Sequence, residues 1–281
     1  TLLALTPNGA NVVLPAATSQ TSNAQADLTA GLDNIFNHPN VGPYIGKQLI
    51  RFLVTSNPTP AYVGRVAAKF ADNGSGVRGD MQAVIRAILT DTEARSLIAA
   101  AQPTFGKLRE PVIRFGNLMR TFHATASSGR YNFWTLGDPL YGVNQQPLSS
   151  PTVFNFFGFD FSPQGAVGSN DLVGPEFEIT TSTSIVATSN NMLGVINGGW
   201  GSGGDAMKLD YAALAGMAGS PTQIVDYLNL VMVSGAMTPP THTQIASAVA
   251  LIPQTGSTWQ ADRWKLALWI LFNSPEYTIQ R

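Results

Sequence analysis

The sequence predicts an all-α protein, an irregular multi-helix domain with a long aromatic-rich loop segment in the middle. Apolar residues recur at three- and four-residue steps over long stretches at both ends of the chain, which is the spacing of one helix face. Residues that cap helix starts precede several of these stretches, among them Asp80, Ser220 and Ser274. No alternation of apolar and polar residues, which would indicate strands, rises above noise.

Residues 1–26 show no such periodicity. Asn8-Gly9 is a turn signal, and Thr18 to Gln25 is a polar, low-complexity run. We expect residues 1–26 to form an extended arm or linker.

A first helical layer is predicted over residues 27–122. Its helices begin after polar caps or at prolines and end at Pro or Asn signals. They are expected at 27–38, at 44–56, from Pro60 through Phe70, from Met81 through Leu89, and at 111–122.

A second helical layer is predicted over residues 175–281, after an irregular segment at 124–173. One helix is expected to run from Pro175 to about Asn197, since Pro is favoured at the first helical position. Further helices are expected at 221–233, 239–253 and 259–272, and a final short one is expected after Ser274. We therefore expect residues 27–281 to form a single α-helical domain.

Composition excludes several classes of protein. Charged residues make up only 12% of the chain, about half the usual share of roughly 25%. The net charge is −1 without any cluster of Lys and Arg, so we expect no nucleic-acid partner. No apolar run reaches the roughly 18 residues of a membrane span. Because cysteine is absent, disulfides, thiolate metal sites and cysteine nucleophiles are excluded.

Four carboxylates lie close together beside the irregular segment: Asp160, Asp171, Glu176 and Glu178. Paired carboxylates could act as catalytic acid and base on glycosides, or bind Ca²⁺ with loop carbonyls. The alternative, which we favour, is that the glutamates serve the first turn of a helix and the aspartates cap turns.

Lys107, Arg109, Glu110 and Arg114 resemble an anion-binding cluster, but Glu110 can pair with Arg114 one turn later. We expect structural ion pairs. The three histidines lack the spacing of metal ligands, so no metal site is predicted.

Aromatic residues are concentrated in the irregular segment. They are Trp134, Tyr141, Phe154, Phe156, Phe157, Phe159 and Phe161. Such residues could contact a ligand or a partner. They could equally fill the core between two helical layers, which we favour because most are Phe.

Several segments together resemble a known family. They include 36–40, 48–58, 78–80, 85–89, 107–112, 151–157, 175–177, 273–277 and 280–281. In order and spacing, they resemble the C-terminal half of exported bacterial proteins of domain-of-unknown-function family 1800.

The resemblance implies an exported protein, in the periplasm, on the cell surface or outside the cell. It carries no established reaction and no catalytic residues, and it suggests that this chain is the C-terminal part of a longer one. Apart from the Ca²⁺ considered above, we expect no cofactor. Apolar helix faces would then need cover from the protein's own N-terminal half, another protein chain or a second copy. We therefore expect an exported, non-catalytic structural or partner-binding domain. The alternative is a carboxylate-dependent hydrolase acting on an extracellular polysaccharide or other polymer.

Overall fold

The computed structural model describes residues 24–133 and 135–281. These residues form thirteen α-helices and only four two-residue strands, which confirms the predicted all-α class. The chain divides into two compact units, Thr1–Phe105 and Gly106–Arg281. In that described part, no helix is both long and apolar enough to span a bilayer.

The described residues of the first unit, from 24 onward, form six helices. They are α1 (Ala24–Phe36), α2 (Val41–Leu53), α3 (Pro60–Ala71), α4 (Met81–Thr90), α5 (Thr92–Arg95) and α6 (Leu97–Ala100).

The core of the first unit lies where α2, α3 and α4 meet. Two glycines of α2 allow a close approach to α3, because a Cβ at Gly42 would lie 3.2 Å from Phe70 and one at Gly46 would lie 3.0 Å from Val66. Buried Tyr62 donates its hydroxyl to the carbonyl of Ile88 at 2.6 Å, which links α3 to the end of α4. Satisfying this polar group inside the core avoids the cost of leaving it unpaired.

The loop before α4 holds the end of α1. The Arg78 guanidinium donates to the carbonyls of Phe36 and His38, each at 3.0 Å, and lies 5.1 Å from the ring of Phe70. Asp80 caps α4 by accepting from the Ala83 N–H at 3.1 Å, as its position predicts. The Arg78-Gly79-Asp80 tripeptide therefore has a structural role.

The second unit contains the remaining elements. They are β1 (Lys107–Leu108), α7 (Pro111–Thr121), β2 (Thr125–Ala126), α8 (Ser182–Gly198), β3 (Met207–Lys208), α9 (Ala212–Gly216), α10 (Pro221–Val233), α11 (Pro239–Ala250), α12 (Trp259–Phe272), α13 (Pro275–Thr278) and β4 (Ile279–Gln280), with 3₁₀-helices at Gly168–Asn170, Pro175–Ile179 and Gly203–Asp205.

The two strand pairs are antiparallel and short. In the first pair Lys107 lies opposite Gln280, which brings the start of the unit to its C-terminal end. In the second, Thr125 lies opposite Lys208.

Helix α12 lies at the centre of the second unit, where Leu268 and Phe272 have no exposed surface. The buried Arg263 of this helix donates to the carbonyl of Ile252 at 2.7 Å and to that of Ala218 at 3.2 Å. The Arg263 guanidinium thus donates hydrogen bonds to carbonyl groups that lie just after the ends of α11 and α9.

The predicted single helix from Pro175 to about Asn197 is wrong. A 3₁₀-helix ends at Ile179, and α8 begins only at Ser182. Thr181 has extended backbone angles, and its side chain forms a reciprocal capping box with Ser184. Thr181 supplies the cap that starts a new helix, so the chain breaks before it.

The boundaries of the units and of the first helix differ from those expected. The divide falls between Phe105 and Gly106, so α7 belongs to the second unit although the predicted first layer included it. Residues 24–26 of the expected arm are already helical, and residues 1–23 lie outside the described residues.

Candidate functional site

A buried ion pair joins two of the charged groups that the sequence singles out. The Lys107 ammonium lies 2.7 Å from Glu176, and the two side chains are 2% and 1% exposed. Burial raises the pKa of Glu176, and the charge of Lys107 opposes this shift. Glu176 is therefore sequestered in the interior, where it cannot meet a polymer.

Glu110 bonds to a residue that the sequence did not indicate. Its carboxylate accepts from the side-chain amide of Gln145 at 2.6 Å, and the Gln145 carbonyl oxygen accepts from the Val112 N–H at 3.2 Å. Gln145 is buried and supports the first turn of α7 from the irregular segment. The role of Gln145 could not be predicted from sequence periodicity, because its bonding partners lie more than thirty positions away along the chain.

The two arginines of the cluster lie against aromatic rings. The Arg109 guanidinium is 4.8 Å from the ring of Tyr277, and that of Arg114 is 5.7 Å from the ring of Phe272. Burial lowers the pKa of Arg114. The Tyr277 hydroxyl donates to the Arg114 carbonyl at 2.8 Å. The cluster thus fastens α7 to the C-terminal end of the chain.

The most exposed apolar groups of the aromatic run lie at a tight turn. Thr152 and Asn155 face each other across this turn, and the side chains of Val153 and Phe154 at its tip are 94% and 80% exposed. The Phe154 N–H is bonded to the Thr152 hydroxyl at 3.1 Å, and Asn155 has a φ of 75°. We call residues 152–155 the apolar turn.

The apolar turn is anchored by the residues that follow it. Phe157 is 3% exposed and so fixes the chain to the interior. The Gly158 N–H donates to the Glu178 carboxylate at 2.6 Å. Glu178 therefore holds the segment that carries the turn, a positioning role that the sequence did not suggest.

The other aromatic residues are divided between core and surface. Phe156, Phe159 and Phe161 are half-buried, whereas Tyr141 is 70% exposed. Asn191 holds the backbone on both sides of Tyr141 by donating to the carbonyls of Leu140 and Gly142. Trp134 lies outside the described residues.

The remaining candidate carboxylates are exposed. Asp171 ends a 3₁₀-helix in the left-handed region, with a φ of 54°, and Asp160 lies on the loop before it. The four carboxylates thus have separate surroundings: an ion pair, a backbone N–H and two exposed loop positions. Within residues 24–133 and 135–281, no group of three or more Asp, Glu and His side chains could hold a metal ion.

Comparison with known proteins gives one family. The chain matches the model described as "Protein of unknown function (DUF1800)" over residues 6–279. Neither the curated proteins nor the solved structures gave a match. Because the family model covers nearly the whole chain, as the resemblance of its segments predicted, this chain belongs to the DUF1800 family.

Proposed function

We propose that this protein is a non-catalytic partner-binding domain whose contact surface includes the apolar turn. The observation that carries the proposal is the exposure of Val153 and Phe154 at the tip of an ordered turn. Turn tips normally carry Gly, Pro, Asn, Asp or Ser, because these residues suit the backbone and water.

A fixed, solvent-facing Phe is suited to binding. Its ring loses little freedom on binding, because the turn already holds its backbone. Burying such a side chain in a partner's pocket contributes roughly 1.5–3 kcal/mol. The anchors at Phe157 and Glu178 keep the turn in place.

Quantitative co-purification from the producing cells tests the proposal. The double variant Val153→Ser, Phe154→Ser removes the apolar tip, and Leu251→Ser removes an apolar side chain of similar exposure, 84%, from the end of α11. Both changes lie at the surface, so the free energy of unfolding should change by no more than about 0.5 kcal/mol.

We expect the wild type and Leu251→Ser to retain the same protein partner. The double variant should recover it at least roughly tenfold less, the loss expected for a central aromatic contact. Equal recovery by all three proteins, or a wild type that is purified alone as a monomer, contradicts the proposal.

We further propose that this contact is made outside the cytoplasm, in the periplasm, on the cell surface or in the medium. Support comes from the resemblance to exported bacterial proteins. The partner is a protein surface: the upstream part of the same polypeptide, another exported chain or a second copy. Fractionation of bacterial cells against a cytoplasmic marker tests the location, and retention with that marker contradicts it.

The hydrolase alternative has less support. Glu176 is paired and buried, and Glu178 is bonded to a backbone N–H. Asp160 and Asp171 remain as exposed candidates for catalysis or Ca²⁺ binding. Polysaccharide hydrolysis that is lost in Asp160→Asn or Asp171→Asn would favour the enzyme. A fall in the melting temperature on adding a chelator would favour calcium.

A further inference from the structure

A hollow of about 560 Å³ lies along one face of α7 in the second unit. Its wall on α7 is formed by Val112, Phe115, Gly116, Met119 and Arg120, which recur at helical spacing. The irregular segment and β3 supply the opposite wall. The volume falls within the roughly 300–1,000 Å³ that is usual for small-molecule sites.

The apolar lining of the hollow includes aromatic rings and thioethers. The rings of Phe115 and Phe133 meet edge to face, with centroids 6.1 Å apart and planes at 81°. Tyr131 is 54% exposed beside them, and the buried side chains of Met119 and Met207 also line the space. Rings and methionine sulfurs are favourable partners for another aromatic ring.

Two polar side chains, a guanidinium and an imidazole, also belong to the lining of the hollow. Arg120 and His123 both line the hollow and are both exposed. In the part of the chain that the structure describes, neither side chain has a hydrogen bond or an ion pair. His123 has a φ of 45° because it ends α7: its N–H donates to the Arg120 carbonyl at 3.2 Å, and the next N–H, of Ala124, donates to the Met119 carbonyl at 2.8 Å.

We propose that this hollow binds a small aromatic carboxylate. The ring of the ligand lies against Tyr131 and Phe133, the two exposed rings of the lining. Its carboxylate is paired with the guanidinium of Arg120, and the imidazole of His123 donates a further hydrogen bond. A planar guanidinium is suited to bidentate bonding of a carboxylate.

A purely structural role for Arg120 makes a different prediction. Arg120 lies in the last turn of α7, where a positive charge offsets the helix dipole. If that were its only role, replacing Arg120 would lower the stability of the protein and leave ligand binding unchanged. Measuring both quantities separates the two roles.

The test uses 2-naphthoate as the probe and isothermal titration calorimetry on the whole chain. 2-Naphthylmethanol, with the same rings but no charge, is the matched ligand. Gly116→Leu places a side chain in the hollow, where an added Cβ meets no heavy atom within 4 Å. Gly194→Leu, on α8, is the matched control, because its Cβ also meets nothing within 4 Å and it does not line the hollow.

We expect 2-naphthoate to bind the wild type and Gly194→Leu equally, and Gly116→Leu at least roughly tenfold more weakly. Arg120→Gln should weaken 2-naphthoate severalfold and leave 2-naphthylmethanol unaffected. Three results overturn the proposal: no binding of 2-naphthoate up to about 1 mM, a dissociation constant well above that of specific ligands; equal binding by Gly116→Leu; or no loss of naphthoate affinity in Arg120→Gln.

Discussion

At the scale of single residues, the pairing of Lys107 with Glu176 is the most consequential contact. Both groups are almost fully buried, so each depends on the other for compensation of its charge. Removing one partner of such a pair leaves an uncompensated charge in the interior and costs about 3–5 kcal/mol. Replacing both side chains with apolar residues removes the attraction between the two charges, but it also removes the cost of taking those charges out of water.

We therefore predict that Lys107→Met alone, or Glu176→Met alone, lowers the free energy of unfolding by about 3–5 kcal/mol. The double variant should recover most of this loss. Urea unfolding of the four proteins measures the coupling. Additive losses in the double variant would show that the two side chains do not depend on each other.

A second residue-scale contact has a defined pH dependence. Arg65 donates twice to Asp91, at 2.7 Å each, and this bonding lowers the pKa of Asp91. A carboxyl whose pKa is depressed by folding stabilises the protein above its unfolded pKa, near 4, and loses this contribution as the pH falls through the folded value. Arg65 is 46% exposed, so the contribution is modest.

We predict that Asp91→Asn lowers the free energy of unfolding by about 0.5–1 kcal/mol at pH 7. Below pH 4 the difference from the wild type should shrink as the wild-type carboxyl is protonated. Urea unfolding at pH 7 and at several values between 4 and 2 measures it. A difference that is constant over this range would assign the loss to something other than the ion pair.

At the scale of elements, the end of α8 depends on one glycine. Gly199 has a φ of 88°, and a Cβ there would overlap the carbonyl oxygen of Met207. This close approach allows the exchange of backbone hydrogen bonds between Trp200 and Met207, at 2.9 and 2.7 Å. The adjacent Gly198, still helical, has open space at its Cβ position.

Gly199→Ala should therefore lower the free energy of unfolding by about 1–3 kcal/mol or more, from strain together with overlap. Gly198→Ala, the matched control, should be neutral or slightly stabilising, because Ala is the better helix former. Thermal unfolding followed by circular dichroism compares the two variants. Similar melting temperatures would contradict this account of the turn.

The sequence predicts the long helices well because their signals are local. Asp80, Ser220 and Ser274 each cap the helix that follows, as their positions predict. The short helices α6 and α9 are absent from the prediction, because segments of so few residues show no periodicity. Helix α8 starts only at Ser182 because Thr181 and Ser184 form a capping box. The prediction missed this break because it placed the start of the helix at Pro175.

At the scale of the whole molecule, the described residues form two hydrophobic cores, one in each unit. One is built from residues of α2, α3 and α4, and the other from the helices of the second unit. In the second unit, the strand at the start, β1, also pairs with the strand at the end, β4. A unit that has its own core and whose two ends are paired is expected to fold by itself.

We predict that a chain comprising residues 106–281 unfolds cooperatively on heating, with a near-ultraviolet circular dichroism signal from its buried Trp200 and Trp264. A broad transition without that signal would show that the second unit needs the first in order to fold.

Less of the candidate site than of the fold could be predicted from the sequence. The sequence locates the aromatic run, but it does not show that Phe157 lies inside while Val153 and Phe154 lie outside. That division depends on the Thr152–Asn155 turn and on the bond from Gly158 to Glu178. The latter joins positions twenty residues apart, and no local pattern encodes it.

The most direct test of partner binding is site-specific photo-crosslinking in the producing cells. A p-benzoylphenylalanine is placed at position 154 in one variant and, as a control of similar exposure, at position 251 in another. Irradiation and mass spectrometry then identify any chain joined at each position. We predict one discrete adduct through position 154 and none through position 251. The absence of an adduct at position 154, or the same adducts at both positions, would contradict the account.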